Sequence, residues 1–267
     1  MATGAEAGPA PAVFLHAASL SYARATIFEA LDLNLPAGRT TCLLGPSGVG
    51  KTSLLRLLAG LAHGAAGEAV DEHGRGLAGR IAYLAQQDLL LPWLSVLGNV
   101  LLGSRLRGEP ATAELLERAR DLLARVGLSG REGERPARLS GGMRQRVALA
   151  RTLMEARPVV LMDEPFSALD AITRHQLQGL AAELLRDRTV FLVTHDPLEA
   201  LRLGHAVRIM AGTPARLDEP LEPPGAPPRD PGDPEIMRLQ AELLGRLSRA
   251  KAAGTAGGLA QPTKALP

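Results

Sequence analysis

The run Gly45-Pro46-Ser47-Gly48-Val49-Gly50-Lys51-Thr52 sets a lysine and a hydroxyl at the end of a glycine-rich turn. That spacing matches the phosphate-binding pattern G-x-x-x-x-G-K-[ST]. Glycines let backbone N–H groups turn inward and approach phosphate oxygens closely. Lys51 would reach the β- and γ-phosphates of a triphosphate, and the Thr52 hydroxyl would hold Mg²⁺. Ser53 follows directly and completes the expected contact set. A second set of polar residues closes apolar runs. Asp163-Glu164 follows Val159-Val160-Leu161-Met162, and His195-Asp196 follows residues 189–194. Two adjacent carboxylates after such a strand are hard to explain as solvated surface. A carboxylate at a strand's C-terminal edge, in the same domain as a phosphate loop, is where Mg²⁺ is held. By position alone, His195 serves either a structural bond or a polar contact with the terminal phosphate. The other five histidines, His16, His63, His73, His175 and His205, lack ligand spacing.

The elements that must position these groups follow from periodicity. Residues 13–22 and 27–35 show strand spacing, and Pro36-Ala37-Gly38 turns the chain into a buried strand over 40–44. Tyr22, just ahead of the second strand, reads from position as a half-buried strand residue. A helix over 53–59, stopping near Gly60, brings the positive end of its dipole to the phosphate loop. Residues 64–79 are glycine-rich and predict no element. A strand over 80–85 ends at Gln86-Gln87. Residues 89–97 form an apolar run that holds the only Trp, Trp93, and is broken by Pro92; it is either core or a protein-binding surface patch. The spacing predicts a helix over 99–128 with Gly127 as its cap. Ser140 is placed to cap another helix over 144–155, preceded by Leu139-Ser140-Gly141-Gly142-Met143. A last strand covers 206–211. From Gly212, repeated prolines predict a stiff, extended linker. Asp233-Pro234-Glu235 then starts a short helix with an apolar stripe of Ile236, Leu239, Leu243 and Leu247, fit to dock on its own domain or on a partner. Residues 1–12 and those after Ala250 read as disordered.

Composition narrows the function classes. The 267 residues carry net charge +2, and lysine occurs only at 51, 251 and 264. Arginines are interspersed with acids, without aromatic stacking platforms, so no nucleic-acid partner is expected. Lone Cys42 excludes an internal disulfide and suits a reducing cytosol. The N-terminus has no signal-peptide pattern, and no run of about 18 apolar residues exists, so no bilayer span is expected.

With these elements placed, the chain resembles an ATP-binding cassette (ABC) transporter ATPase subunit over roughly residues 13–212. Gly45 to Thr52 is similar to the Walker A loop, and Gln86 to the Q-loop glutamine, with Gln87 the neighbouring alternative. Leu139 to Met143, followed by Arg144-Gln145, resembles the signature sequence. Residues 159–164 resemble Walker B with its catalytic glutamate, 167–170 the D-loop, and His195 the switch histidine. Tyr22 falls where the family has its adenine-stacking aromatic. Thr52 stands where Ser is common and Met143 where many members have Gln; neither removes a needed group.

The resemblance implies an α/β P-loop NTPase core, an antiparallel β layer, and an inserted α-helical subdomain at about 88–157. It implies ATP and Mg²⁺ as ligands and a head-to-tail dimer in which Ser140, Gly141 and Gly142 of one subunit complete the Walker A site of the other. Thr52, Asp163 and Gln86 would position Mg²⁺. Glu164 would act as general base, with His195 and Gln86 beside it, and Asp170 would hold the facing subunit. Permease subunits would dock at the insert, on the cytoplasmic face of the membrane, with a substrate-binding protein acting indirectly. The wording Gln86-Gln87-Asp88-Leu89-Leu90-Leu91-Pro92-Trp93 is similar to importers of the nitrate, sulfonate and taurine group, nearest those proposed for thiamine pyrimidine precursors. The expected function is the ATP-hydrolysing subunit of an importer of a small polar substrate. A non-transport ATPase of the family, for example in cluster assembly, is the alternative.

Overall fold

The computed structural model describes residues 10–22 and 25–256. Residues 1–9 of the expected leader and 257–267 of the tail lie outside them. Apolar residues alternate with polar ones from Val13 onward, which gives strands with one buried face. β1 (Val13–Tyr22) and β2 (Ala25–Leu35) pair antiparallel, burying Leu15, Leu20, Phe28 and Leu33. β3 (Thr40–Leu44) then enters a second sheet, and helix α1 (Lys51–Leu58) leaves the phosphate loop. Helix α1 starts two residues earlier than its apolar spacing indicates, because Gly50 at φ +113° serves as its cap. The glycine-rich stretch does contain a strand, β4 (Ala69–Asp71), which extends the first sheet in the order β2-β1-β4. The turn after it is fixed by buried Asp71, whose carboxylate accepts from Arg75 Nε at 2.8 Å and Arg80 Nη1 at 2.7 Å.

β5 (Ile81–Leu84) opens the part of the second sheet that follows the loop. The long helix expected over 99–128 is three: α2 (Val96–Val100), α3 (Leu102–Leu106) and α4 (Ala113–Arg125). Gly108 at φ +73° ends the first pair, and Thr112 caps α4 by accepting from Leu115 N. Pro110 in the gap could not continue the hydrogen-bond ladder. α5 (Gly141–Met154) begins at its Ser140 cap, three residues ahead of the expected start, and β6 (Val159–Asp163) follows. Next come α6 (Ala171–Leu184), β7 (Thr189–Val193), α7 (Pro197–Leu203), β8 (Ala206–Gly212) and β9 (Ala215–Leu217). The second sheet runs β5-β6-β7-β3-β8-β9, parallel except for β9. Alternate residues pack on opposite faces. Cys42, Leu44, Met162 and Leu192 meet helices α5, α7 and α8 (Pro234–Ala256), whereas Leu43, Leu161, Phe191 and Val193 meet α1 and the first sheet. Both faces are covered, as a parallel sheet requires.

The proline-rich segment is not a free, extended linker. It contains β9, bridges back to β8 through Leu221 and Val207, and buries Arg229. Arg229 donates to the carbonyls of Leu201, Gly204, Pro223, Pro224 and Gly225 at 2.6–2.8 Å. One guanidinium thereby ties the strap to the end of α7. Helix α8 then docks on its own domain by burying Ile236, Leu239 and Leu243. Each such side chain stabilises by roughly 1.5–3 kcal/mol. The helix reaches Ala256, past the point where the apolar stripe ends.

Candidate active site

Strand register assembles the site. In β6 and β7, Asp163 is opposite Val193, and Leu43 of β3 is opposite the same Val193. The C-terminal ends of β3, β6 and β7 therefore share one edge. The phosphate loop, Asp163-Glu164 and Thr194-His195 emerge there side by side. The loop itself needs glycine: at Gly45 (φ +152°) a Cβ would collide with the Met210 carbonyl, and at Gly50 it would lie 2.5 Å from Ile27 Cγ2. Lys51 is buried, its Nζ donating to Gly45 O at 2.7 Å and Pro46 O at 2.9 Å. Those carbonyls hold the ammonium at the mouth of the loop. Burial lowers the Lys51 pKa, and the charges of Glu164 and Asp163 oppose that.

Thr52 Oγ1 donates to Asp163 Oδ2 at 2.8 Å. Burial raises the Asp163 pKa against that bond and the Lys51 charge. A hydroxyl and a carboxylate oxygen in contact are the hard donors that Mg²⁺ prefers, with its remaining positions left for phosphate oxygens and water. Among the described residues no group of three His, Cys, Asp or Glu side chains could hold a metal by itself. Glu164 has φ +48°, a left-handed conformation held by its N–H donating to Val193 O at 2.8 Å. Such a conformation in a non-glycine residue costs of order 1–3 kcal/mol and tends to occur where function demands it. Its Oε2 accepts from Gln86 Nε2 at 3.3 Å and lies 3.4 Å from His195 Nδ1. Gln86, not Gln87, is therefore the residue joined to the Glu164 carboxylate.

Above the loop lies a cavity of about 580 Å³, walled by Gly45, Pro46, Ser47, Gly48, Val49 and His195. Its other wall, Gly212, Thr213, Leu247, Ala250 and Lys251, comes from the end of β8, the turn after it and the far part of α8. Sequence reasoning missed that wall; the apolar stripe through Leu247 was its only trace. The expected site residues Ser140, Gly141, Gly142, Asp170 and Tyr22 stay apart from this group. Ser140 caps α5, accepting from Met143 N at 3.3 Å, with Gly141 and Gly142 in its first turn. Asp170 caps α6, accepting from Thr173 N at 2.9 Å, and that bond lowers its pKa. Tyr22, at the end of β1, is 46% exposed. No hydrogen bond or ion pair joins Ser140, Asp170 or Tyr22 to Lys51, Asp163 or Glu164 among the described residues. Trp93 is 66% exposed and Leu89 58%, so part of the apolar run over 89–97 is surface.

The family model described as "ABC transporter" matches residues 28–167. The chain belongs to the ABC transporter family. It is similar to an uncharacterized ABC transporter ATP-binding protein of Haemophilus influenzae, 45% identical over 86% of this chain and 95% of that one. An aliphatic sulfonates import ATP-binding protein of Rhodococcus jostii is 44% identical over 86% of this chain and 90% of its own length. Among solved structures, a dimeric ATP-binding cassette in a post-hydrolysis state with ADP and phosphate superimposes with a TM-score of 0.71. It is 28% identical and covers 80% of this chain and 100% of that one. This ABC chain is thus a P-loop ATPase that binds ATP, and no helix among its described residues is long and apolar enough to cross a membrane.

Proposed function

We propose that this chain is the ATP-hydrolysing subunit of an ABC importer, working as a pair docked on a transmembrane permease. The carrying observation is the single carboxylate oxygen of Glu164 addressed by both Gln86 and His195 at the edge that holds Lys51 and Thr52. In this reading Lys51 releases its loop carbonyls and takes the β/γ-phosphates, with the amides of Gly48 and Gly50 and the first turn of α1. Thr52 and Asp163, with Gln86, would hold Mg²⁺, which supplies charge neutralisation at the phosphates. Glu164 accepts the proton of the attacking water, and His195 steadies the terminal phosphate. Tyr22 supplies an exposed aromatic face for adenine.

The caps Ser140 and Asp170 face outward and lack partners in their own chain's site, which suits donation to a second copy. The Ser140 corner, a helix N-terminus with small residues, is fit to contact a γ-phosphate held by the partner's Lys51. ATP then favours the closed pair and ADP does not, so hydrolysis opens it. Exposed Leu89 and Trp93 suit docking on the permease, with peripheral attachment to the membrane following from that contact. Relatives named for aliphatic sulfonate import support an organic sulfonate as the cargo; a substrate-binding protein would deliver it. Glu164→Gln in the purified complex with its permease tests the assignment: ATP binding stays and turnover is lost. Turnover at the wild-type rate in that variant removes Glu164 from the role.

A further inference from the structure

Helix α5 begins at the Ser140 corner, yet two of its arginines reach away to the segment behind Gln86. One turn into the helix, Arg144 Nε donates to Asp88 Oδ2 at 2.9 Å, and its Nη1 donates to Leu139 O at 2.9 Å. Two turns further on, Arg151 donates from Nη2 to Asp88 O at 2.7 Å and from Nη1 to Leu89 O at 2.9 Å. The other carboxylate oxygen of Asp88 accepts from Leu90 N at 3.2 Å. Leu89 sits at φ +46°, a strained conformation for a branched residue, which the Arg151 fork on the two carbonyls holds in place. A single helix therefore grips both the side chain and the backbone of residues 88–89.

What those residues connect matters more than the grip. Two positions before Asp88, Gln86 touches the Glu164 carboxylate. Leu89 belongs to the exposed apolar patch with Trp93. On the other side, the Leu139 carbonyl that Arg144 holds belongs to the residue before the Ser140 cap. Gln145, next along the helix, donates to Pro165 O at 3.2 Å, one residue past Glu164. Asp88 and Arg144 are thus the polar joint between one subunit's hydrolysis cluster and the corner it lends to the other subunit's ATP.

We propose that Arg144, paired with Asp88, is a positioning residue that couples the two ATP sites. It orients the Ser140 corner according to where the Gln86 segment lies. The planar guanidinium suits this role because it serves a carboxylate and a carbonyl at once in fixed geometry, which an ammonium does not. This inference rests on the paired-subunit reading above. Arg144 touches no expected nucleotide-binding side chain in its own chain, so its loss should act on cooperativity and closure and spare nucleotide affinity at Lys51.

The test uses the full chain assembled with its permease, comparing wild type, Arg144→Gln, Arg144→Lys, Asp88→Asn and the double variant Asp88→Asn/Arg144→Gln. Readouts are affinity for a fluorescent ATP analogue, ATP turnover against ATP concentration, and ATP-driven pairing of isolated subunits in a Glu164→Gln background. A two-site pair gives a Hill coefficient of up to about 2. The expected result is a fall toward 1 in Arg144→Gln, a turnover loss of about two- to thirtyfold, and analogue affinity unchanged within about twofold. Asp88→Asn should match it, and the double variant should be no worse than either single variant, since both remove one contact. Arg144→Lys keeps the charge and guards against a folding failure; it too should lose cooperativity. An unchanged Hill coefficient in both Arg144 variants, or losses that multiply in the double variant, overturns the inference. Failure of the wild-type chain to pair with ATP would sink the parent reading instead.

Discussion

Polar groups at the two ends of the second sheet are used in opposite ways. At the phosphate edge they hold provisional partners. Lys51 rests on two loop carbonyls, and Gln86 and His195 share one oxygen of Glu164 at 3.3 and 3.4 Å. At the C-terminal strap Arg229 is consumed by structure, with five carbonyl acceptors; Glu199, at the start of α7, is likewise held by the fold, accepting from Gln178 Nε2 at 3.0 Å. Lys51 is buried against loop carbonyls that a phosphate could replace. Arg229 is buried with its donors taken up by the fold itself.

That contrast is broken if a change on one side produces the other side's symptom. Glu164→Gln should cut ATP turnover by about two to four orders of magnitude while leaving the melting temperature within a few degrees, read by a coupled phosphate assay and calorimetry. A wild-type rate would break the provisional half of the comparison. Arg229→Met should do the reverse. It strands several buried carbonyls, at a cost of about 3 kcal/mol or more, or roughly 6–12 °C in Tm. ATP affinity measured below the transition should stay at the wild-type value.

Glu199 sharpens the comparison through pH. Burial pushes its carboxyl up to about 7, against hydrogen bonds from Thr194 and Gln178. The folded chain therefore holds a proton that the unfolded chain releases near the ordinary value of 4.5. Stability from this group is fully present below about 4.5 and is lost as pH rises toward about 7, by up to about 3 kcal/mol. Glu199→Gln should remove that slope, so the Tm difference between variant and wild type should widen from pH 5 to pH 8. A constant difference would show that Glu199 is not held protonated. Lys51→Ala should weaken ATP binding about thirtyfold or more; an unaltered Kd would contradict its role.

Legibility in the sequence followed the same divide. The phosphate loop, Asp163-Glu164 and His195 were readable because their chemistry demands particular residue types directly after strands. Their meeting point depends on the register of β6 and β7, which residue spacing does not encode. The strap was misread as an extended linker because proline favours extension, while the fixing group, Arg229, reaches carbonyls that have no sequence signature. Leucine periodicity runs on across Gly108-Glu109-Pro110, so three helices looked like one. β4 is too short to show alternation. The end of α8 lacks an apolar stripe and so looked unstructured, although Ala250-Lys251-Ala252 are good helix formers. The wall they give the phosphate cavity was invisible for that reason.

The most direct test of the paired-site account joins the two surfaces it brings together. Cysteines are placed by Ser47→Cys and Ser140→Cys in a Glu164→Gln chain, where native Cys42 is buried and its thiol pKa raised by burial. With Mg²⁺, ATP and a mild oxidant such as copper phenanthroline, disulfide-linked dimers should form between Cys-substituted positions 47 and 140 of opposite subunits, and far fewer with ADP. Chains that stay monomeric with ATP, or that cross-link equally with ADP, would contradict it.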